Sequence, residues 1–488
     1  MFGGCTSAKY QQNIVIKNNE LAVQGEDNIF SYDYKSGFEY KTVEDIEREN
    51  GINVPDIERY ASKFTFAGLG ENVMPIVGYI EPEISDPEFT VSLQDAMKDF
   101  ALSGCNIMNC IHYQIGRDEI TDMMNYSVEN GTMMLLKWGG INNLHNEPDE
   151  EAAANRIYTD LNSVYRMKSF AGINVADEPG YLQWTGNPSV YGTAIKYFRN
   201  VFNSKMFYVN LLPIYSPSWA FPNGATNPET SVFSTDYEYY YDSYFEKVSP
   251  QVAIYDYYPL IGAFPGLKNQ YFYQMSLIKD RSDAAGIPFW TYIQVADWGG
   301  TRDATYSEIA WQVNTSLAFG AKGINYYTYN YAQNHTNTMI AKDGSKNRSY
   351  YDVQKVNRHI ANVDEWMLNA NFKAVIQYGI TPNGETFPTS FNVVKKYKSI
   401  KSTSGVPHII GCMDYYENNI VDDYETPCPK ELYYIVNDSI DKNGQIVVNF
   451  ENKVKGTYKC NGETVRFEKD SLIFDLRAGE AVAVLLEV

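Results

Sequence analysis

The stretch YSEIAWQVNTSLAFGAKGINYYTYN, residues 306–330, holds one complete structural unit. Its first part has helical period, it closes on glycine, and GINYYTY (323–329) follows as a short aromatic and β-branched run. That is a helix stopped by a glycine C-cap and delivered straight into a strand. Seven further runs of the same kind precede it: VMPIVGYI (73–80), NIMNCIHY (106–113), TMMLLKW (132–138), AGINVA (171–176), KMFYVNLL (205–212), VAIYDYY (252–258) and PFWTYIQ (288–294). Helical segments lie between them, among them SLQDAMKDFALSG, DEITDMMNYSVENG and QYFYQMSLIKDRSDAAG. Eight strands alternating with helices predict an α/β fold, a (β/α)8 TIM barrel over residues 61–370, with helical pattern at 350–370 closing the ring.

Beyond residue 371 the texture changes. LYYIVND, GQIVVNFE, TYKCNG, DSLIFDL and EAVAVLLEV alternate apolar and polar residues between turn signals, which predicts a C-terminal antiparallel β-sandwich domain over 371–488. Residues 1–60 are polar and poorly periodic and are expected to pack on the barrel as an N-terminal extension.

Composition narrows the function. A formal net charge of -20 disfavours nucleic acid and anionic membranes, which need fields of Lys and Arg. The chain has 41 Tyr, 24 Phe and 7 Trp, which serve either to fill the core or to line a cleft with rings that stack on sugar faces. No apolar run reaches the roughly 18 residues of a membrane-spanning helix. The opening MFGGCTSAKYQQN resembles the end of a lipoprotein signal with Cys5 as the acylated residue, so an exported, periplasmic or surface-tethered protein with a lipid anchor is one expectation and an incidental Cys5 the other. Cys105 and Cys110 read as core thiols; Cys412 and Cys428 are placed to pair in an exported protein. No Cys/His spacing suits zinc, and no cofactor is required. The triplets at Asn334 and Asn347 match the glycosylation pattern by chance.

In a barrel of this class the chemistry sits at the carboxyl ends of the strands. Those ends carry Glu81; His112 and Tyr113; Lys137 and Trp138; Asp177 and Glu178; Asn210; Tyr255, Asp256, Tyr257 and Tyr258; Gln294 with Asp297 and Trp298; and Tyr327, Tyr329 and Asn330. Carboxylates with phenols, indoles and amides suit glycoside hydrolysis, in which one carboxylic acid protonates the leaving oxygen and a second group attacks or activates water. Each acid has a plainer use as helix cap or ion-pair partner, and His112, Trp138, Trp298 and Tyr329 equally suit packing.

The Asp-Glu-Pro after the fourth strand, IYDYYP at the sixth, EIAWQVNTSLAFGAKGINYYTYN through the eighth and the finish LRAGEAVAVLLEV together resemble bacterial barrel glycoside hydrolases with a C-terminal β-domain. In the large clan of β-galactosidases and cellulases the fourth strand ends in Asn-Glu and the seventh supplies a nucleophilic Glu; here stand Ala176-Asp177-Glu178 and Gln294. The Asp-Glu pair is instead similar to hexosaminidase-like and chitinase-like families that use substrate assistance. That resemblance implies Glu178 as general acid, Asp177 as the carboxylate orienting an acetamido group, and Tyr257 or Tyr327 as the positioning phenol. The expected substrate is an oligosaccharide or polysaccharide, neutral or N-acetylated, with Tyr258, His112, Lys137, Trp138, Asn210, Gln294, Trp298 and Tyr329 around it. Two alternatives stand beside this reading, a two-carboxylate glycosidase using Asp256 and a carbohydrate-binding barrel without chemistry; a lyase or aldolase lacks a convincing Schiff-base lysine, Lys137 being the only lysine at a strand end.

Overall fold

The computed structural model describes residues 13–17, 20–24, 73–187, 189–202, 205–216, 235–416, 430–460 and 462–487. Contacts divide the chain into two compact units, one of residues 1–71, 107–255 and 278–288, the other of residues 72–106, 256–277 and 289–488. Near the amino terminus β1 (Asn13–Lys17) and β2 (Glu20–Gln24) form an antiparallel hairpin with Asn13 opposite Gln24. The remainder of the 1–60 extension, Cys5 included, lies outside the described residues.

Eight strands then build a closed barrel: β3 (Ile76–Tyr79), β4 (Ile107–Gln114), β5 (Met133–Lys137), β6 (Phe170–Asp177), β7 (Met206–Leu211), β8 (Ala253–Tyr255), β9 (Phe289–Gln294) and β10 (Ile324–Tyr327). Their order around the ring is β10-β3-β4-β5-β6-β7-β8-β9. Each falls within or across one of the eight runs read from the sequence. The sixth is much shorter than VAIYDYY suggests, because the chain leaves the ladder at Asp256. Helices α1 (Leu93–Leu102), α2 (Asp118–Asn130), α3 (Glu150–Leu161), α4 (Leu182–Thr185), α5 (Val190–Val201), α6 (Thr235–Val248), α7 (Tyr271–Ala285), α8 (Tyr306–Ala318) and α9 (Arg348–Leu368) connect and follow the strands.

The local logic is visible in α5. Tyr191, Ala194, Ile195, Phe198 and Val201 recur at helical spacing and are buried, while Ser189 caps the helix by accepting the Gly192 N–H at 3.1 Å. At α2 the stop is Gly131, left-handed at φ 69°. Gly172 answers a steric demand instead. A Cβ built there would lie 2.0 Å from the Met206 carbonyl oxygen, so only glycine lets β6 approach β7 so closely.

Helix α8 is buried from Glu308 to Ala318, which explains why its sequence is apolar and amidic on every side. It starts in a capping box, Thr305 with Glu308. Its polar side chains then dock the C-terminal domain: Ser307 Oγ donates to Ile440 O at 2.7 Å, Trp311 Nε1 to Asp438 Oδ1 at 2.8 Å and Asn314 Nδ2 to Gly479 O at 2.7 Å, while Tyr434 OH donates to Asn314 Oδ1 at 2.7 Å.

The C-terminal domain corrects the expected antiparallel sandwich. Strands β11 (Ala370–Tyr378), β12 (Val393–Val394), β13 (Ile400–Gly405), β14 (His408–Tyr415), β15 (Lys430–Asn437), β16 (Gly444–Cys460), β17 (Glu463–Leu476) and β18 (Ala481–Glu487) belong to one eight-stranded mixed sheet. Two features account for the difference. GQIVVNFE and the TYKC of TYKCNG, read as separate strands, lie in the two halves of the 17-residue β16, whose first half pairs with β13 and whose second half pairs with β18. An irregularity between Asn449 and Val454 lets the strand turn from one ladder to the other without breaking. The pairing of β12 with β11 is parallel. The sheet surrounds one apolar cluster that includes Ile376, Ile410, Tyr433, Ile446, Phe474 and Val484.

Cys105, Cys110 and Cys412 are buried thiols; Cys412 has no disulfide partner among the described residues, and its expected partner Cys428 lies outside them. Among the described residues no helix is long and apolar enough to cross a membrane.

Candidate active site

In the first unit the sequence GINVADEPGY brings β6 to its end at Asp177, with Glu178 immediately beyond. The side chain of Asn210, on the neighbouring β7 and 1% exposed, donates Nδ2 to Asp177 Oδ1 at 2.9 Å. Its backbone carbonyl accepts the Glu178 N–H, also at 2.9 Å. One residue of β7 thus anchors both members of the acid pair. Glu178 takes a left-handed φ of 48°, so the chain turns sharply between the two acids. Asp177 is exposed and Glu178 half-buried. The turn is held from below by α6, where Tyr240 OH donates to Pro179 O at 2.9 Å and accepts the Leu212 N–H at 3.2 Å. Tyr237, Tyr240, Tyr241 and Tyr244 of this helix are all buried, so much of the tyrosine excess fills core. Because Asn210 gives Nδ2 to a carboxylate, its Oδ1 is the remaining end of the amide, and that oxygen is buried without a partner among the described residues.

The other expected residues of this unit do different work. Lys137 Nζ donates to the Ile111 carbonyl at 2.8 Å. Trp138 is 6% exposed and donates Nε1 to Asp160 at 3.2 Å, which makes it a packing residue of the β5–α3 connection. His112 is exposed, and Tyr113 is buried with the Arg117 guanidinium over its ring.

In the second unit an aromatic cluster forms around Trp298. Its ring meets Tyr258 edge-on at 4.8 Å, Tyr327 at 4.9 Å and the His335 imidazole in a stack at 5.2 Å. Tyr327 in turn touches Tyr79 and Tyr258, and its hydroxyl is 3.1 Å from His335 Nε2. His335 Nδ1 lies 2.9 Å from the Gln333 carbonyl, which can only accept, so Nδ1 carries a proton and Nε2 is the ring nitrogen that meets the Tyr327 hydroxyl. Trp298, Tyr327 and His335 are half-buried, leaving ring surface open. Asp297 ties this wall together by accepting the Thr336 N–H at 3.1 Å and the Thr336 hydroxyl. Buried Glu308 pairs through both carboxylate oxygens with Arg302, pinning the loop after β9.

Gln294, 0% exposed, has both ends of its amide committed: Oε1 accepts the Leu260 N–H at 2.8 Å, and Nε2 donates to Leu260 O and Arg302 O. Tyr257 donates its hydroxyl to Asn269 O and packs edge-on against Tyr271; burial first, then the Glu385 charge, raises its pKa well above the phenol range. Tyr329 is 1% exposed and edge-on to Phe100 of α1. Asp256 is buried just past β8, and its carbonyl accepts from Gln274 Nε2 at 3.0 Å. Tyr255 is buried at the end of β8. Buried Glu81 receives Asn330 Nδ2 on its backbone carbonyl at 2.9 Å, leaving Asn330 Oδ1 buried without a partner among the described residues. Sequence reasoning missed His335, because the surrounding NHT reads only as a glycosylation triplet. Among the described residues no group of three or more His, Cys, Asp or Glu side chains is arranged to hold a metal ion.

No protein-family profile and no curated protein matches the chain. Among solved structures, a family 39 glycoside hydrolase from Bacteroides cellulosilyticus WH2 is similar at 12% identity over 86% of this chain and 82% of that one, with a TM-score of 0.44. An endo-β-1,4-mannanase from Thermotoga petrophila aligns at 11% identity over 81% and 97%, TM-score 0.39, and a glucosidase from Croceicoccus marinus at 10% over 86% and 96%, TM-score 0.40. Similarity at this level assigns neither family nor activity.

Proposed function

We propose that the chain is a glycoside hydrolase acting on neutral or N-acetylated glycans, with Glu178 as the proton donor. The observation that carries this reading is the anchoring of Asp177 and Glu178 by Asn210 at the carboxyl end of a parallel barrel strand, the position from which such barrels act. The half-open rings of Trp298, Tyr327 and His335 support a sugar ligand, since flat rings cover the apolar face of a pyranose. The Asn210 amide oxygen, without a partner among the described residues, is an acceptor of the kind that sugar hydroxyls use.

Glu178 gives its proton to the glycosidic oxygen as the C1–O bond breaks. On an N-acetylated sugar the acetamido oxygen attacks C1 and Asp177 accepts the acetamido N–H, so the positive charge of the cyclic intermediate is held beside a carboxylate. Water then opens that ring at C1 and returns a proton to Glu178. The committed amide of Gln294 favours this route over a nucleophile on β9. On a sugar without the acetamido group the second role falls to Asp256. The same Gln294 observation also suits a carbohydrate-binding barrel that performs no chemistry.

The test is hydrolysis of a panel of 4-nitrophenyl glycosides, N-acetylated and plain, by the wild type and Glu178→Gln, with binding followed by calorimetry. Turnover of N-acetyl sugars alone, lost in the variant with binding retained, supports the substrate-assisted pair. Turnover of plain sugars that is lost in Asp256→Asn moves the second role to Asp256. Binding without turnover in any of these proteins overturns the hydrolase in favour of the binding barrel.

A further inference from the structure

A concavity lies between α8, α9 and the turn joining β17 to β18. Its volume is about 400 Å³, and its charged lining consists of Lys355, Arg358, Arg477 and Glu480. None of these residues belongs to the candidate active site. The volume falls in the range of small-molecule pockets, roughly 300–1,000 Å³.

The charges are unequally compensated. Glu480, 8% exposed, accepts from the Tyr306 hydroxyl at 3.0 Å, from Lys355 Nζ at 3.3 Å and from the Arg477 backbone N–H at 3.2 Å. Lys355 Nζ also sits 3.7 Å above the Tyr306 ring. This ammonium and this carboxylate therefore answer one another. The nearby Asp352 pairs with Arg348 at 3.6 Å. His359 faces Tyr434 OH at 2.9 Å and burial pushes its pKa down to about 4, so it adds no charge at neutral pH. The two guanidiniums are left over. Among the described residues Arg358 bonds only the neutral Gln354 amide, at 3.1 Å, and the Arg477 side chain has no ion pair or side-chain hydrogen bond. Two uncompensated arginines at one concavity stand out in a chain whose 60 acidic residues outnumber its 40 basic ones.

We propose that this pocket binds a small monoanionic carboxylic acid of monosaccharide size, of the hexuronic acid class, through the guanidiniums of Arg358 and Arg477. A planar guanidinium matches a carboxylate through two parallel N–H···O bonds. Phosphate has no carbon skeleton to fill the apolar part of the pocket and is expected to bind more weakly. Buried Ala310 and Val356 supply an apolar floor for the carbon skeleton.

Calorimetric titration of the full chain with sodium glucuronate, glucose and inorganic phosphate tests the site, in the wild type and in Arg358→Gln, Arg477→Gln and the double variant. Both arginines are exposed, so the variants fold, and a thermal melt checks it. The expected result is one glucuronate per chain, weakened at least about tenfold by each substitution, equivalent to about 1.4 kcal/mol. Glucose binding is expected to be identical in all four proteins. No glucuronate binding, or binding undiminished in the double variant, overturns the site. Phosphate binding tighter than glucuronate overturns the ligand class. The test reads binding at residues outside the proposed hydrolytic pair, so its failure leaves the glycosidase reading standing, and the reverse.

Discussion

Asn210 holds Asp177: the amide Nδ2 lies 2.9 Å from the carboxylate Oδ1, between the ends of two adjacent parallel strands. Thirty-three positions separate them in the chain. Loss of this bond in Asn210→Ala is expected to lower kcat/KM on N-acetylated substrates by about 10- to 100-fold, the worth of a hydrogen bond to a charged group. Steady-state kinetics check it, and an unchanged kcat/KM would remove Asp177 from the mechanism.

Trp298 is the centre of the aromatic wall, in contact with Tyr258, Tyr327 and His335. In Trp298→Ala the KM for oligosaccharides is expected to rise about 2- to 10-fold with little change in kcat, since stacking holds bound substrate and transition state alike. Equal losses in kcat and kcat/KM would instead place the ring at the reacting sugar.

Arg302 and Glu308 form a buried bidentate pair, and Glu308 also completes the cap of α8. Arg302→Met leaves a buried carboxylate without its cation and is expected to destabilise the protein by about 3–5 kcal/mol. Arg302→Met with Glu308→Gln should recover part of that loss, because no charge is then buried alone. Urea denaturation of both variants provides the comparison.

Asp438 accepts the Trp311 indole N–H at 2.8 Å inside the contact between α8 and the sheet, and burial pushes its carboxyl up to about 7. In the unfolded chain an Asp titrates near 3.9, so between these values the native state holds more protons than the unfolded one. The stability tied to this proton is present at low pH and is lost as pH rises through about 7. Asn in its place accepts the same indole bond without titrating. The difference in Tm, wild type minus Asp438→Asn, is therefore expected to fall between about pH 5 and pH 8; a constant or rising difference would contradict the assignment.

The barrel was legible because its signals are local. Apolar runs of strand length, helical spacing in segments such as α5, and glycines such as Gly131 each report on a few consecutive residues, and the repetition of one unit eight times leaves few topologies. The acid pair at the end of β6 was visible for the same reason: it interrupts an apolar run. The sandwich was misread because alternation marks a strand without saying where it continues; the two halves of β16 look like two strands from either side of Asn452.

Sequence alone determined the alternation of strands and helices, the strand-rich texture of the last hundred or so residues, and which side chains stand at strand ends. Only the tertiary structure decided their work. It turned Tyr257 and Tyr329 into packing, committed the Gln294 amide to backbone, paired Tyr327 with His335, and set Asn210 against Asp177. Periodicity fixes which way a side chain faces along its own element, whereas its partner is chosen when distant segments meet as the barrel closes and the sheet folds.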